Sequence, residues 1–147
     1  MTLTKAKAIL ESGGYTCVLT DGTTVYTSML RGVKPLVQFL KNGTIPPGLS
    51  AADKVVGRAT AYLYVLLEVH EIYAQIISEP ASEVLQAKGI HFQYKKKVPN
   101  IINRKGDGIC PFEVAVMEIK EPIMAYEAIL HKMQEMNITI KYEEKLL

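Results

Sequence analysis

Apolar positions along the chain switch between helical and strand spacing, and the order of those switches predicts its elements. Leu3, Ala6, Ile9 and Leu10 recur at helical spacing, and Gly13-Gly14 closes the run. Tyr15 to Leu19 and Thr23 to Thr27 are rich in β-branched and aromatic residues, with Asp21-Gly22 between them as a turn signal. Two antiparallel strands are expected there. Leu36, Val37, Phe39 and Leu40, running up to Asn42-Gly43, give a short helix with Pro35 tolerated in its first turn, and residues 44–48 are loop.

Ser50-Ala51-Ala52-Asp53 has capping-box spacing with Asp in place of the usual Glu or Gln, which predicts a helix beginning at residues 51 to 53. Val55, Val56, Ala59, Tyr62, Leu63, Val65, Leu66 and Leu67 cover most of its circumference, the mark of a helix buried between layers. Ile72 to Ile77 is nearly continuous apolar sequence, as in an interior strand, and Pro80 both stops it and suits a helix start. Val84, Leu85, Ala87 and the Gly89 stop define that helix, and Ile90 to Tyr94 alternates as a further strand. Residues 101–108 are polar loop. Val114, Val116, Met117 and Ile119 fit a helix or a strand equally well. Pro122 opens a last helix with Ile123, Tyr126, Ile129, Leu130 and Met133 in one stripe, and Ile138 to Tyr142 either adds an edge strand or frays. Strands alternating with helices predict an α/β domain with a mixed sheet: antiparallel at the hairpin, parallel across the helical crossovers.

With 147 residues, one domain over residues 1–147 is the simplest expectation. Seventeen basic and fifteen acidic residues leave a net charge of +2, too slight to point to a general nucleic-acid or membrane surface. The start lacks the apolar core of a signal peptide, and no stretch approaches the ~20 apolar residues of a membrane span, so a cytoplasmic location is expected. Cys17 and Cys110 are far apart and lack metal-knuckle or redox spacing. Free thiols are expected.

Arg58-Ala59-Thr60 at a helix opening, then a strand ending in Ser78-Glu79-Pro80, a helix through Ala81-Ser82-Glu83-Val84 and its exit Gln86-Ala87-Lys88-Gly89-Ile90 form a frame that resembles the zinc nucleobase deaminases. Those enzymes place His-x-Glu at the first helix start and Pro-Cys-x-x-Cys at the second, so that His and two Cys hold zinc while Glu moves protons. The matching positions here are Arg58, Thr60, Ala81 and Val84. Arg cannot ligate a metal, Thr is no acid or base near pH 7, and Ala and Val offer no lone pair. Zinc-hydroxide deamination is therefore not expected, nor any metal or cofactor at this spot. Through Asp53-Lys54-Val55-Val56-Gly57, Asn103-Arg104 and Cys110-Pro111-Phe112-Glu113, the chain also resembles a small bacterial family of uncharacterised proteins, over roughly residues 3 to 135. The resemblance implies a three-layer cytidine deaminase-like fold with a central mixed sheet flanked by helices. It implies no known reaction, and it sets the opening of the buried helix at Arg58, later than the capping-box spacing does.

Candidate site residues gather around that helix start. Asp53, Lys54, Gly57 and Arg58 are expected at its first turn, where free N–H groups and two cations favour a phosphate or carboxylate. Alternatively Arg58 pairs with a buried carboxylate, Glu79 or Glu113, and seals the pocket. Ser78 and Glu79 fall at the second helix start. Cys110 would be a reactive thiolate only if a helix N-terminus or a cation such as Arg104 lowered its pKa, and otherwise is a small buried hydrophobe. His70, His91 and His131 lie in separate elements and offer it no base. Asn103, Arg104 and Asp107 share one polar loop that is either solvated or touches a ligand. Lys95-Lys96-Lys97, after Phe92 and Tyr94, reads as the solvated end of a strand rather than a nucleic-acid platform.

The expectation from sequence is thus a non-zinc domain that binds a small anionic or nucleotide-like ligand at Asp53, Lys54, Arg58, Ser78, Glu79, Arg104, Cys110 and Glu113. Two alternatives stand beside it. One is a metal-independent enzyme using Cys110 or a carboxylate such as Asp53 or Glu113, and the other is a self-associating scaffold, a homo-oligomer without chemistry.

Overall fold

A computed structural model describes residues 2–139 of the chain. Its elements are α1 (Thr2–Gly13), β1 (Cys17–Thr20), β2 (Val25–Ser28), α2 (Lys34–Asn42), β3 (Ser50–Val56), α3 (Arg58–Leu66), β4 (Glu71–Ser78), α4 (Glu79–Ala87), β5 (His91–Val98), α5 (Pro111–Ala115) and α6 (Pro122–Glu135). The strands form one sheet in the order β2-β1-β3-β4-β5. β1 runs antiparallel to both of its neighbours, and β3, β4 and β5 run parallel.

Alternation along the central strands divides the side chains between two cores. Cys17, Leu19, Ala51, Ile72 and Ala74 join the larger cluster under α2, α3, α4 and α6. Val18, Ala52 and Tyr73, one residue out of phase, pack with Leu3, Ala6 and Leu10 of α1. The sheet is therefore sandwiched between α1 and the remaining helices, a three-layer α/β arrangement as expected. At the edge of α1, Thr2 and Ser50 hydroxyls meet at 2.5 Å, and the Ser50 hydroxyl donates to Glu71 at 2.6 Å, which pins the helix to the N-terminal ends of β3 and β4.

The predicted helix start at residues 51 to 53 is replaced by the central strand. Residues 50–53 pair with β1 on one side and β4 on the other, and two ladders outweigh a local capping pattern. Ser50, read as a cap, is spent on Glu71 instead. Gly57 (φ −100°, ψ −177°) ends the strand and α3 begins at Arg58, the position set by the frame of the resemblance. β5 runs on through the three lysines to Val98. Cys110 leads into the short α5, which ends at Ala115, so of the segment that fitted a helix or a strand only Val114 is helical, Val116 and Met117 are turn, and Ile119 is irregular. Ile123, expected on the inner stripe of α6, is exposed, while Ala125, Ile129 and Met133 are buried. Ile138 and Thr139 are irregular, and residues 140–142 of the expected edge segment lie outside the described residues. Among the described residues, no helix is long and apolar enough to cross a membrane.

Candidate functional site

β3 ends beside the start of α3, and the chain before α2 and the loop before α5 close over that corner. A cavity of about 230 Å³ lies between them. Of the expected site residues, Asp53, Lys54, Cys110 and Glu113 line it, joined by Thr60 of α3. Its walls are apolar: Leu30, Val33, Pro35, Val55, Ile101 and Phe112. Arg31 and Lys54 are the lining cations and both are exposed, whereas Asp53 and Glu113 are only 9% and 8% exposed. Acids therefore sit deep in the wall, and cations ring the mouth.

Asp53 owes its depth to strand alternation. As the third residue after Ser50 in a strand paired on both sides, it turns towards α3, where the Tyr64 hydroxyl donates to Oδ2 at 2.6 Å. The Val55 N–H donates to Oδ1 at 3.1 Å, and Tyr64 also meets Cys17 Sγ at 3.3 Å. Burial is the dominant influence on this carboxyl and outweighs those hydrogen bonds, so its pKa rises from 3.8 to about 7. Burial also pushes the Tyr64 hydroxyl and the Cys17 thiol well above their ordinary values.

Glu113 fills the place expected for an external anion. Its carboxylate accepts the Arg58 N–H at 2.7 Å and the Ala59 N–H at 2.9 Å, two of the donors at the α3 N-terminus that lack partners inside the helix. Desolvation raises its pKa despite those bonds. The same burial raises the Cys110 thiol, with the Glu113 charge adding to the effect, so Cys110 is a poorer thiolate than a free cysteine.

Arg58 points elsewhere. Its Nε donates to the Val116 carbonyl at 3.0 Å and its Nη2 to the Ile119 carbonyl at 2.5 Å, with the guanidinium over the Tyr62 ring at 5.2 Å. Tyr62 also donates to Ile119, at 2.7 Å. The expected ion pair between Arg58 and Glu79 does not form, because Glu79 faces solvent and meets Lys97 at 3.7 Å. Ser78 is buried as the N-cap of α4, accepting the Ala81 N–H at 3.1 Å. Arg104 is exposed and does not line the cavity, and Asn103 and Asp107 bond to each other within their loop. None of the three positions that match zinc ligands in the resemblance lines the cavity, whereas Thr60, at the place of the proton-moving Glu, does; Ala81 and Val84 are packed in the main core. Among the described residues, no group of three or more His, Cys, Asp or Glu is placed to hold a metal ion.

Arg58 is thus a staple between α3 and the segment that joins α5 to α6. Arg58→Ala is expected to lower stability by about 2 kcal/mol in urea unfolding, since two charge-assisted bonds to carbonyls are lost. Arg58→Lys should recover less than half of that, because one ammonium cannot reproduce the guanidinium fork.

The sequence pointed to Asp53 for a reason the structure replaces, a helix start instead of a strand face, and it missed the Tyr64 contact altogether. A signal existed: Asp53 follows Ala51 at strand spacing, and a carboxyl on the buried face of an interior strand needs a hydrogen-bonding or charged partner. Arg31 and Thr16, brought in by the hairpin and the turn before α2, gave no signal of their own.

No curated protein matches the chain. The crystal structure of a DUF1893 family protein, TM1506 from Thermotoga maritima, superposes with a TM-score of 0.83 at 30% identity, covering 89% of each chain. The family profile described as TM1506, domain of unknown function (DUF1893), matches residues 5–133, and the chain belongs to that family.

Proposed function

We propose that the domain binds a small anionic or nucleotide-like ligand in the cavity at the end of β3. The observation that carries this reading is the convergence of Asp53, Lys54, Thr60, Cys110 and Glu113 on one hollow of about 230 Å³ with apolar walls. A few polar groups in an otherwise apolar concavity are the usual make-up of a ligand site, and the volume is somewhat below the roughly 300–1,000 Å³ of drug-sized sites. The ligand's anion would rest on Lys54 and Arg31 at the mouth rather than at the α3 N-terminus, whose first amides Glu113 already holds. Arg58, Ser78, Glu79 and Arg104 drop out of the binding set. The order of hairpin, strand, helix, strand, helix and strand supports kinship with the deaminase-like fold, with Thr60 at the position of the proton-shuttling Glu.

Thermal unfolding with millimolar nucleoside monophosphates and ribose 5-phosphate tests this. Stabilisation by several degrees is expected from at least one of them, and Lys54→Ala should abolish it. If none of these compounds raises the midpoint, the reading fails.

A second reading is favoured by one specific feature. A carboxyl with a pKa of about 7 is matched to proton transfer at neutral pH, so Asp53, rather than Cys110, is the residue on which a metal-independent reaction would rest.

A further inference from the structure

We propose that the inner end of the ligand is a nitrogen donor, either a cationic amine or amidinium or the amino-bearing edge of a heterocycle, and that the Asp53 carboxyl is the group that reads it. This deepens the ligand-binding reading above and rests on it.

The distribution of charge within the site is the first support. The two acids that line the cavity are buried, and the two cations are exposed at its mouth. A ligand bearing only an anion would have no reason to enter, since the interior would repel it; one with a donor at one end and an anion at the other matches both levels. Asp53 itself is the second support. Its carboxylate has a tyrosine hydroxyl and backbone N–H groups as partners, and among the described residues it makes no ion pair. Buried carboxylates are ordinarily paired with a cation, and this one instead lines a cavity. The walls supply the third support. Phe112, Leu30 and Val55 suit a flat or aliphatic body between the donor and the anion. Glu113 is the weaker candidate for the same role, because its carboxylate is already matched to the positive N-terminal end of α3.

Calorimetric titration at pH 8 with matched probes tests the idea. Guanosine against inosine 5′-monophosphate, and adenosine against purine riboside 5′-monophosphate, differ by one amino group; benzamidine against benzamide differs by the cation and carries no phosphate. Ribose 5-phosphate carries the anion alone. In at least one of the three pairs the member with the additional amino group or the positive charge should bind about tenfold more tightly or better, and Asp53→Asn should erase that preference. Should Asp53→Asn fail to fold, the native protein gives the same answer. At pH 7, repeating the titration in buffers of different ionisation enthalpy should show net proton release when the member with the additional amino group or the positive charge binds, because the ligand draws the proton from Asp53.

Equal affinities within all three pairs, a preference that survives Asp53→Asn, or binding without proton release would overturn the inference. The two levels separate cleanly. Nucleotides that bind with no amino preference leave the ligand-binding reading standing and remove this one. Benzamidine binding through Asp53 while every phosphate fails would keep Asp53's role and remove the anion at the mouth. Absence of binding by every probe overturns both.

Discussion

Asp53→Asn is expected to be more stable than the parent at pH 8 and to lose that advantage as the solution is acidified. In the unfolded chain this carboxyl titrates near its ordinary 3.8, whereas in the fold burial holds it at about 7. Between those two values the folded protein binds more protons than the unfolded one, so this group's contribution to stability falls as pH rises through the window. Below about 3.8 the penalty is absent, and above about 7 it is complete. Over that interval it amounts to about 4 kcal/mol, taking about 1.4 kcal/mol per tenfold change in proton affinity.

The asparagine keeps the local bonds: its oxygen accepts the Val55 N–H, its amide donates to Tyr64, and Tyr64 turns to Cys17. Tyr64 and Cys17 face Asp53 from α3 and β1 and stay neutral throughout, since burial raises both. Glu113, across the cavity from α5, titrates higher than usual as well, but it is present in both proteins and cancels in the difference between them. Urea unfolding of parent and variant at pH 5, 6.5 and 8 measures the effect. A difference that does not change with pH would mean that Asp53 is ionised in the fold at every pH tested, with a carboxylate of ordinary acidity.

Sequence reasoning reached the layers and missed part of the site for a common physical reason. Element types that rest on local periodicity were legible: α1 from Leu3, Ala6 and Leu10, α4 from its Pro80 start and Gly89 exit, and β4 from its unbroken apolar run. β3 was not, because Ser50 to Val56 contains both a capping pattern and a strand alternation, and only pairing with β1 and β4 decides between them. That one misreading misplaced the source of the site's charge. It put Asp53 and Lys54 beside helix amides, when they belong to a strand face, and it left those amides open for a ligand. Residues brought in from distant parts of the chain gave no local sign at all. Glu113 lies 55 residues from the amide it caps, and nothing within either segment shows which of the candidate carboxylates would reach it.

That long-range cap leads to the other large effect. Glu113→Ala should lower stability by about 3 kcal/mol, because the Arg58 and Ala59 N–H groups lose a charged acceptor in a largely buried contact. Gly57 is bound up in the same contact. Its φ and ψ are open to any residue, so its requirement is spatial: a methyl group there would lie 2.7 Å from all three atoms of the Glu113 carboxyl group. Gly57→Ala must push that carboxylate off the amides, and a loss of about 2 to 3 kcal/mol is expected. Because both substitutions break one contact, their effects should not add. In the Glu113→Ala background, Gly57→Ala should lose most of its effect, giving a coupling of about 2 kcal/mol in a double-mutant cycle of urea midpoints. Additive losses would show that the alanine at position 57 acts on something other than Glu113, and that α5 is held against α3 by the apolar contacts of Phe112 and the Arg58 staple instead.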